Sequence, residues 1–189
     1  VSPRAVPAPG PPEGLVHRDE FISPDEERRL LEQIERVEFA EVVFHGYPAK
    51  RTVAHFGVDY EYDSGAVEAS GALPDWLLEL RARCAALAGV ESEAFVEALV
   101  TRYPPGAGIG WHRDARAFGG SVAGVSLGAA CRMRFRRTKG GVTHAYDLGL
   151  APRSAYVMSG AARWSWQHSI PAVAETRHSI TFRTLRALH

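Results

Sequence analysis

AFVEALVTRYPPGAGIGWHRDARAFGGSVAGVSLGAACRMRFRRTK, residues 94–139, reads as strand after strand punctuated by glycine and proline, with no helical period long enough to form a crossover. The first run, 95–103, is rich in valine, phenylalanine and tyrosine, and further runs fall at 109–113, 121–127 and 131–137. Beyond the quoted stretch the same rhythm continues at 143–148, 154–158, 163–168 and 177–184. Short strands at hairpin-like intervals predict antiparallel pairing and a double-stranded β-helix, or jelly roll.

Working backward from residue 94, the pattern changes. Ser23, Pro24 and Glu26 form an S-x-x-E capping box with proline at the first helical position, followed by Leu30, Leu31, Ile34 and Val37 at helical spacing. A second helix is predicted from Pro74 to about Ala88, carried by Trp76, Leu77, Leu80, Cys84 and Leu87 and stopped by Gly89. Between the helices, Phe44, Tyr47, His55, Phe56, Tyr60 and Tyr62 are interspersed with Gly46, Gly57 and Gly65, which suggests a hairpin lid. Helices first and strands afterwards make the class α+β, and this order excludes a Rossmann sheet. Residues 1–14 hold Pro3, Pro7, Pro9, Pro11 and Pro12 with few large apolar groups, so a disordered tail is expected there. The expected organisation is one domain over 15–189, with helices and lid in 15–93 and the jelly-roll core in 94–189.

Composition narrows the function classes. A 46% hydrophobic and 23% charged chain is typical of a soluble globular domain. Lysine plus arginine and aspartate plus glutamate both number 22, so no global field draws in a polyanion, and nucleic acid needs a local patch. Cys84 and Cys131 form no C-x-x-C pair, which argues against a zinc knuckle or a disulfide framework. No run reaches the roughly 18 apolar residues of a membrane helix, and no apolar leader is visible, so the expectation is a cytoplasmic monomer with no membrane partner.

The chemistry lies in two constellations. His112-Arg113-Asp114 is an H-x-D pair whose outer members project to one side of a strand or its end. A third ligand from another strand completes two histidines and a carboxylate on one octahedral face, a set suited to Fe(II) with positions left open. His168 is the best candidate: His178 falls on the opposite face from its neighbours Arg177 and Ser179, and the other histidines lack a partner motif. Alone, an H-x-D triplet arises often by chance, and a lone histidine commonly makes an ordinary hydrogen bond. The second constellation is Arg177-x-Ser179-x-Thr181-x-Arg183, four polar side chains on one face of an otherwise apolar strand. Two such guanidiniums call for anions, either from structural carboxylates or from a dicarboxylate with one end on the metal.

With H-x-D, the distal histidine and R-x5-R in this order, residues 94–185 resemble the AlkB family of Fe(II)- and 2-oxoglutarate-dependent dioxygenases. Arg102-Tyr103-x-x-Gly106-x-x-Ile109, Val125-Ser126-Leu127-Gly128 and Thr181-Phe182-Arg183 extend the resemblance. It implies that His112, Asp114 and His168 hold the iron and that Tyr103 contacts 2-oxoglutarate. It further implies that Arg183 pairs with the distal carboxylate and that Arg177 lies near the chelating end. Thr101 and Ser179 stand where the family often has asparagine, and Arg116 replaces an acidic residue found in well-known bacterial members. By resemblance, 46–65 is a nucleotide-recognition lid with Arg51, Tyr60 and Tyr62 as contacts. Trp111 and Trp164 are candidates to line the pocket whether the substrate is a nucleobase, a protein or a small molecule.

The activity so implied is oxidative demethylation of N-alkylated nucleobases in DNA or RNA, single strands preferred, with O2 consumed and formaldehyde, succinate and CO2 released. Arg132, Arg134, Arg136, Arg137 and Lys139 either track a phosphate backbone or form a solvated strand face, with Met133 and Phe135 inward. The alternatives are the same chemistry on a protein or small molecule, and a non-catalytic jelly-roll binding module.

Overall fold

Side chains that alternate between apolar and polar along a strand give a sheet two different faces, and here one strand's two faces separate the core from the site. The computed structural model describes residues 5–8, 10–44, 47–60, 67–69 and 71–186. In chain order the strands are β1 (Val6–Pro7), β2 (Leu15–Arg18), β3 (Ala40–Phe44), β4 (Tyr47–Phe56), β5 (Val58–Tyr60), β6 (Val67–Ala69) and β7 (Phe95–Tyr103). They continue with β8 (Ile109–His112), β9 (Phe118–Gly128), β10 (Cys131–Lys139), β11 (Val142–Leu150), β12 (Ala155–Met158), β13 (Gln167–Ile170) and β14 (Arg177–Leu185). Helices α1 (Pro24–Ile34) and α2 (Asp75–Ala88) precede β7, and a short α3 (Gly160–Trp164) precedes β13.

A seven-stranded sheet runs β2-β12-β9-β14-β7-β4-β3, and a five-stranded sheet runs β1-β11-β10-β13-β8. Side chains from both meet in one cluster that includes Tyr103, Met133, Phe135, Leu148, Tyr156 and Ile170. This is the jelly roll. The helices cover the other side of the larger sheet, where Leu30, Ile34, Leu77, Leu80 and Cys84 pack with Val100, Val125, Ile180 and Phe182. Fully burying a side chain of this size contributes roughly 1.5–3 kcal/mol. On β14, therefore, Ile180 and Phe182 anchor the helices while Arg177, Ser179, Thr181 and Arg183 face the space between the sheets.

The helix ends follow their local chemistry. Ser23 Oγ accepts from the Glu26 amide at 3.2 Å, and the Ser23 amide donates to Glu26 Oε2 at 2.7 Å, closing the capping box. Arg83 of α2 donates to Glu26 and to the Phe21 carbonyl, tying the helices together. Gly89 ends α2 at φ 67°, a left-handed conformation that costs glycine little.

Two expectations need correction. The stretch 163–168 is not one strand: α3 occupies Gly160–Trp164 and β13 begins only at Gln167, because the buried Arg163 turns to satisfy loop carbonyls. The proline-rich start is held in part. Val6–Pro7 lie parallel to His144–Ala145, the Ala8 amide donates to the Ala145 carbonyl at 2.7 Å, and Pro12 is buried. Backbone pairing at a sheet edge, which tolerates proline, supplies what side-chain burial does not. The segment between the helices forms hairpins as expected, β3 with β4 and β5 with β6, and the first of them extends the large sheet, where β4 pairs with β7 from Thr52↔Arg102 to Phe56↔Ala98.

Candidate active site

Strand β8 ends at His112, and its neighbour β13 places His168 directly opposite as the Cα partner. Their rings lie 4.2 Å apart between centroids. Just beyond the end of β8, Asp114 Oδ2 is 3.6 Å from His168 Nε2. The chain thus brings together the three side chains singled out from the sequence. His112 Nδ1 lies 2.8 Å from the Gly110 carbonyl, an interaction that places the proton on Nδ1 and the lone pair on Nε2. Burial lowers the His112 pKa, and burial followed by the repulsion of His112 brings His168 down to about 3, so both imidazoles are neutral near pH 7. Neutral imidazole is the metal-binding form. Burial resists ionisation of Asp114, yet Arg183, with His168 and His112, holds its carboxyl well below the usual carboxylate range.

Asp114 divides its two oxygens. Oδ1 accepts from Arg183 Nε at 2.9 Å, while Oδ2 is buried without a hydrogen-bond partner. Arg183 Nη1 donates to Glu97 Oε2 at 2.9 Å, and Glu97 Oε1 lies 3.0 Å from His55 Nδ1. Among the described residues no three histidine, cysteine or carboxylate side chains form a ready-made metal cage. Asp114 shares itself between Arg183 and the histidines.

At the other end of β14, Arg177 is 1% exposed. Its Nε donates to Ser126 Oγ at 3.0 Å, its guanidinium lies 5.1 Å from the Tyr103 ring centre, and its Nη1 is buried with no hydrogen-bond partner. Arg177 and Arg183 line one cavity of about 350 Å³, with Thr101, Tyr103, Ser179 and Thr181 between them and His112, Asp114 and His168 in its wall. The two arginines differ in the partners they already have. Arg183, expected at the remote end of the cosubstrate, contacts Asp114 and Glu97, whereas Arg177 is the guanidinium with an unmet donor.

The remaining candidates separate. Arg51 and Trp111 line the cavity, joined by Val42, Val43 and Val53 of the β3–β4 hairpin. Arg116 is exposed and lines a neighbouring groove instead, with Trp164. Tyr60 belongs to β5, and Tyr62 and Gly46 lie outside the described residues. Along β10, Met133 and Phe135 point inward as expected, while Arg132 pairs with Asp147 at 3.5 Å and Arg136 Nε donates to Gln167 at 2.8 Å. Arg134 and Arg136 stack over Trp111 at 5.1 and 4.4 Å, so these two support the indole.

Sequence reasoning missed Glu97, Arg163 and Tyr156. Glu97, a charge inside the apolar run FVEALV, was a readable signal of a buried partner. Arg163 donates to the carbonyls of Gly119, Asp114, Ala115 and Phe118 at 2.9–3.2 Å and fixes the turn that carries Asp114. Tyr156 lines the cavity opposite Gly124, where a Cβ would stand 2.4 Å from the Tyr156 ring.

A family model described as the 2OG-Fe(II) oxygenase superfamily matches residues 14–186. The chain belongs to the 2OG-Fe(II) oxygenase superfamily. Among curated proteins, this oxygenase is 31% identical over 172 residues to the Xenopus tropicalis tRNA (carboxymethyluridine(34)-5-O)-methyltransferase alkbh8, covering 88% of this chain and 26% of that protein. The Mus musculus ALKBH8 is 34% identical over 167 residues, covering 84% of this chain and 24% of that protein. The chain spans about a quarter of the length of these relatives. An Arabidopsis thaliana alkylated DNA repair protein ALKBH8 homolog is 29% identical, covering 84% of this chain and 51% of that protein. In fold the oxygenase resembles OsALKBH1, with a TM-score of 0.73 at 13% identity over 92% of this chain and 97% of that one. It also resembles a Pseudomonas putida prolyl-4-hydroxylase, with a TM-score of 0.65 at 16% identity over 92% of this chain and 93% of that one. The likeness in sequence to the ALKBH8 proteins supports the AlkB family, and the likeness to OsALKBH1 is one of fold.

Members of this superfamily use Fe(II) and 2-oxoglutarate, and the cavity's own loose ends fit that pair. At one end an ionised, buried carboxylate oxygen with no hydrogen bond faces a neutral imidazole nitrogen, an arrangement that a cation between them relieves. At the other end a buried guanidinium nitrogen lacks an acceptor, which a carboxylate supplies. No described helix of the oxygenase is long and apolar enough to cross a membrane.

Proposed function

We propose that this oxygenase removes methyl groups oxidatively from N-alkylated nucleobases in DNA or RNA, acting as a monomer and preferring single strands. The observation that carries the reading is one cavity with an unmet anion at one end and an unmet cation at the other, beside a wall that offers Trp111 and Arg51 to a base. The names of the relatives, which concern tRNA and alkylated DNA, supply the substrate class.

In this reading His112, Asp114 and His168 hold the iron, and Arg177 with Tyr103 takes the distal carboxylate of 2-oxoglutarate. Thr101 and Ser179 flank the carbon chain. Fe(II) with 2-oxoglutarate supplies the oxidation of a C–H bond by O2, leaving succinate and CO2. The chain's residues do the rest. Arg183 keeps Asp114 ionised and oriented, His112 presents its Nε2 lone pair because Nδ1 is engaged by Gly110, and the apolar wall of Val42, Val53 and Leu99 excludes water. An oxidised N-methyl group then leaves the base as formaldehyde.

The test incubates 1-methyladenine and 3-methylcytosine oligonucleotides, DNA and RNA, single- and double-stranded, with Fe(II), ascorbate and 2-oxoglutarate, and measures base mass and formaldehyde. Loss of methyl from single strands supports the reading. A second reading is favoured by the identity of 31–34% to proteins named for tRNA carboxymethyluridine 34: the same oxidation on a modified uridine of tRNA. Unchanged oligonucleotides alongside a new oxygen on tRNA uridine select it. Succinate released only with a methylated peptide overturns both.

A further inference from the structure

Bordering the Asp114 turn beside the cavity lies another, open groove of about 470 Å³. Arg113, Arg116 and Arg186 line it, with Trp164 and the buried Arg163. Arg113, Arg116 and Arg186 are exposed, and among the described residues none of the three is in an ion pair, although Arg28, Arg81, Arg83, Arg132 and Arg153 each have a carboxylate partner. Trp164 is 43% exposed, and the Arg163 guanidinium lies 4.2 Å from the ring centre. In a chain of zero net charge, three uncompensated guanidiniums around one exposed indole form a local positive site with a stacking platform. Arg113, Asp114 and Ala115 border both the groove and the cavity, so the two adjoin through a single turn.

The geometry points to this groove as the track for the phosphodiester backbone of the nucleic acid, with a flanking base stacked on Trp164, while the target base enters the cavity. The inference rests on the nucleic-acid reading above and adds a location to it. Arginine suits the task because its planar fork meets phosphate oxygens in pairs, and the exposed indole accepts any base because every base has a π face. It also assigns Arg116 a role: a cation here attracts phosphate where an acidic side chain would repel it. The arginines of β10 are a poorer track, since Arg132, Arg134 and Arg136 are already engaged by Asp147, Trp111 and Gln167.

The experiment measures binding of a short, unmethylated, fluorescein-labelled single strand by anisotropy across a salt series, using the whole chain. Replacing Arg116 and Arg186 by glutamine together is expected to weaken binding on the order of tenfold at low salt. The salt slope should fall by about 1.4, at roughly 0.7 for each phosphate that is no longer neutralised. Arg186→Lys, which keeps the charge, retains most of the affinity, and Lys139→Gln on β10 leaves the slope unchanged. Trp164→Ala is expected to weaken binding roughly tenfold with the slope intact, because stacking is not ionic. Thermal midpoints of all variants are compared, so that a folding defect is seen as such. Wild-type affinity and slope in the arginine double variant overturn the groove and leave the nucleic-acid reading standing. No binding of any strand by the wild type overturns that reading, and the groove with it. Equal binding of a polyglutamate peptide, abolished in the same variants, overturns the assignment to nucleic acid.

Discussion

Replacing Arg177 by leucine removes a guanidinium that the cofactor-free chain leaves only partly satisfied. In the protein alone, the loss is one charge-assisted hydrogen bond to Ser126 Oγ at 3.0 Å, about 1.5–3 kcal/mol, together with the contact over the Tyr103 ring. Against it stands relief of an incompletely paired charge that is 1% exposed, where desolvation penalties reach several kcal/mol. The thermal midpoint of the cofactor-free variant is therefore expected to stay level or rise. With 2-oxoglutarate the sign inverts. Charge-assisted hydrogen bonds contribute about 1.5–3 kcal/mol each, and a forked pair to a carboxylate makes two. Taking about 3 kcal/mol net, because Tyr103, Thr101 and Ser179 remain, the affinity for 2-oxoglutarate falls roughly a hundredfold. Calorimetric titration of 2-oxoglutarate with Mn(II) in place of iron reads this directly, and the steady-state KM should move in parallel. Arg183→Leu is the control, since it takes the donor from Asp114 Oδ1 and Glu97 Oε2 and is expected to lower the midpoint and the metal affinity instead. Wild-type 2-oxoglutarate affinity in Arg177→Leu, with the loss appearing only in Arg183→Leu, would refute the proposal that Arg177 takes the distal carboxylate.

Three further outcomes are expected. Asp114→Asn removes the carboxylate beside the two histidines, so Co(II) affinity, followed by absorbance, should drop at least about a hundredfold while the fold persists. Gly124→Ala sets a Cβ 2.4 Å from the Tyr156 ring and is expected to cost about 1–3 kcal/mol in a denaturant titration, with 2-oxoglutarate affinity also reduced because the ring lines the cavity. Hydrogen bonding from the Ser23 backbone, despite some burial, lowers the Glu26 pKa. A depressed folded-state value means that the stabilisation is complete above the ordinary glutamate range and is lost as acid protonates the folded carboxyl. Glu26→Gln should remove that part of the acid dependence of the thermal midpoint.

The jelly roll was legible because strand punctuation is local: glycine, proline and alternation lie within a few residues of each strand they bound. The helix caps were legible for the same reason, Ser23 and Gly89 acting on their own turns. Of the site, same-face spacing gave the H-x-D pair and the polar face of β14, and the structure brings His168 to them by pairing β13 with β8. What sequence spacing does not carry is which end of β14 neighbours which strand terminus. Arg177 and Arg183 have equal claims on a carboxylate until Asp114 and Glu97 are found beside one of them. Arg163 escaped notice because four carbonyls from one turn leave no side-chain partner to look for. The extension of the large sheet by β3 and β4 was hidden because turn residues in that segment suggest a hairpin without saying what it pairs with.

The two faces of β14 also limit how this protein can change over evolutionary time. Its helix-facing Ile180 and Phe182 and its cavity-facing arginines are interleaved one for one, so inserting or deleting a single residue exchanges them. Guanidiniums would then be driven under α2, and bare hydrocarbon would line the space meant for a dicarboxylate. Length variation in β14 is thus lethal to scaffold and site at once, and new specificities must arise by substitution there. The loops that rim the groove and the β3–β4 hairpin stand outside that constraint, and they are the places where insertions can alter what the enzyme recognises without touching how it reacts.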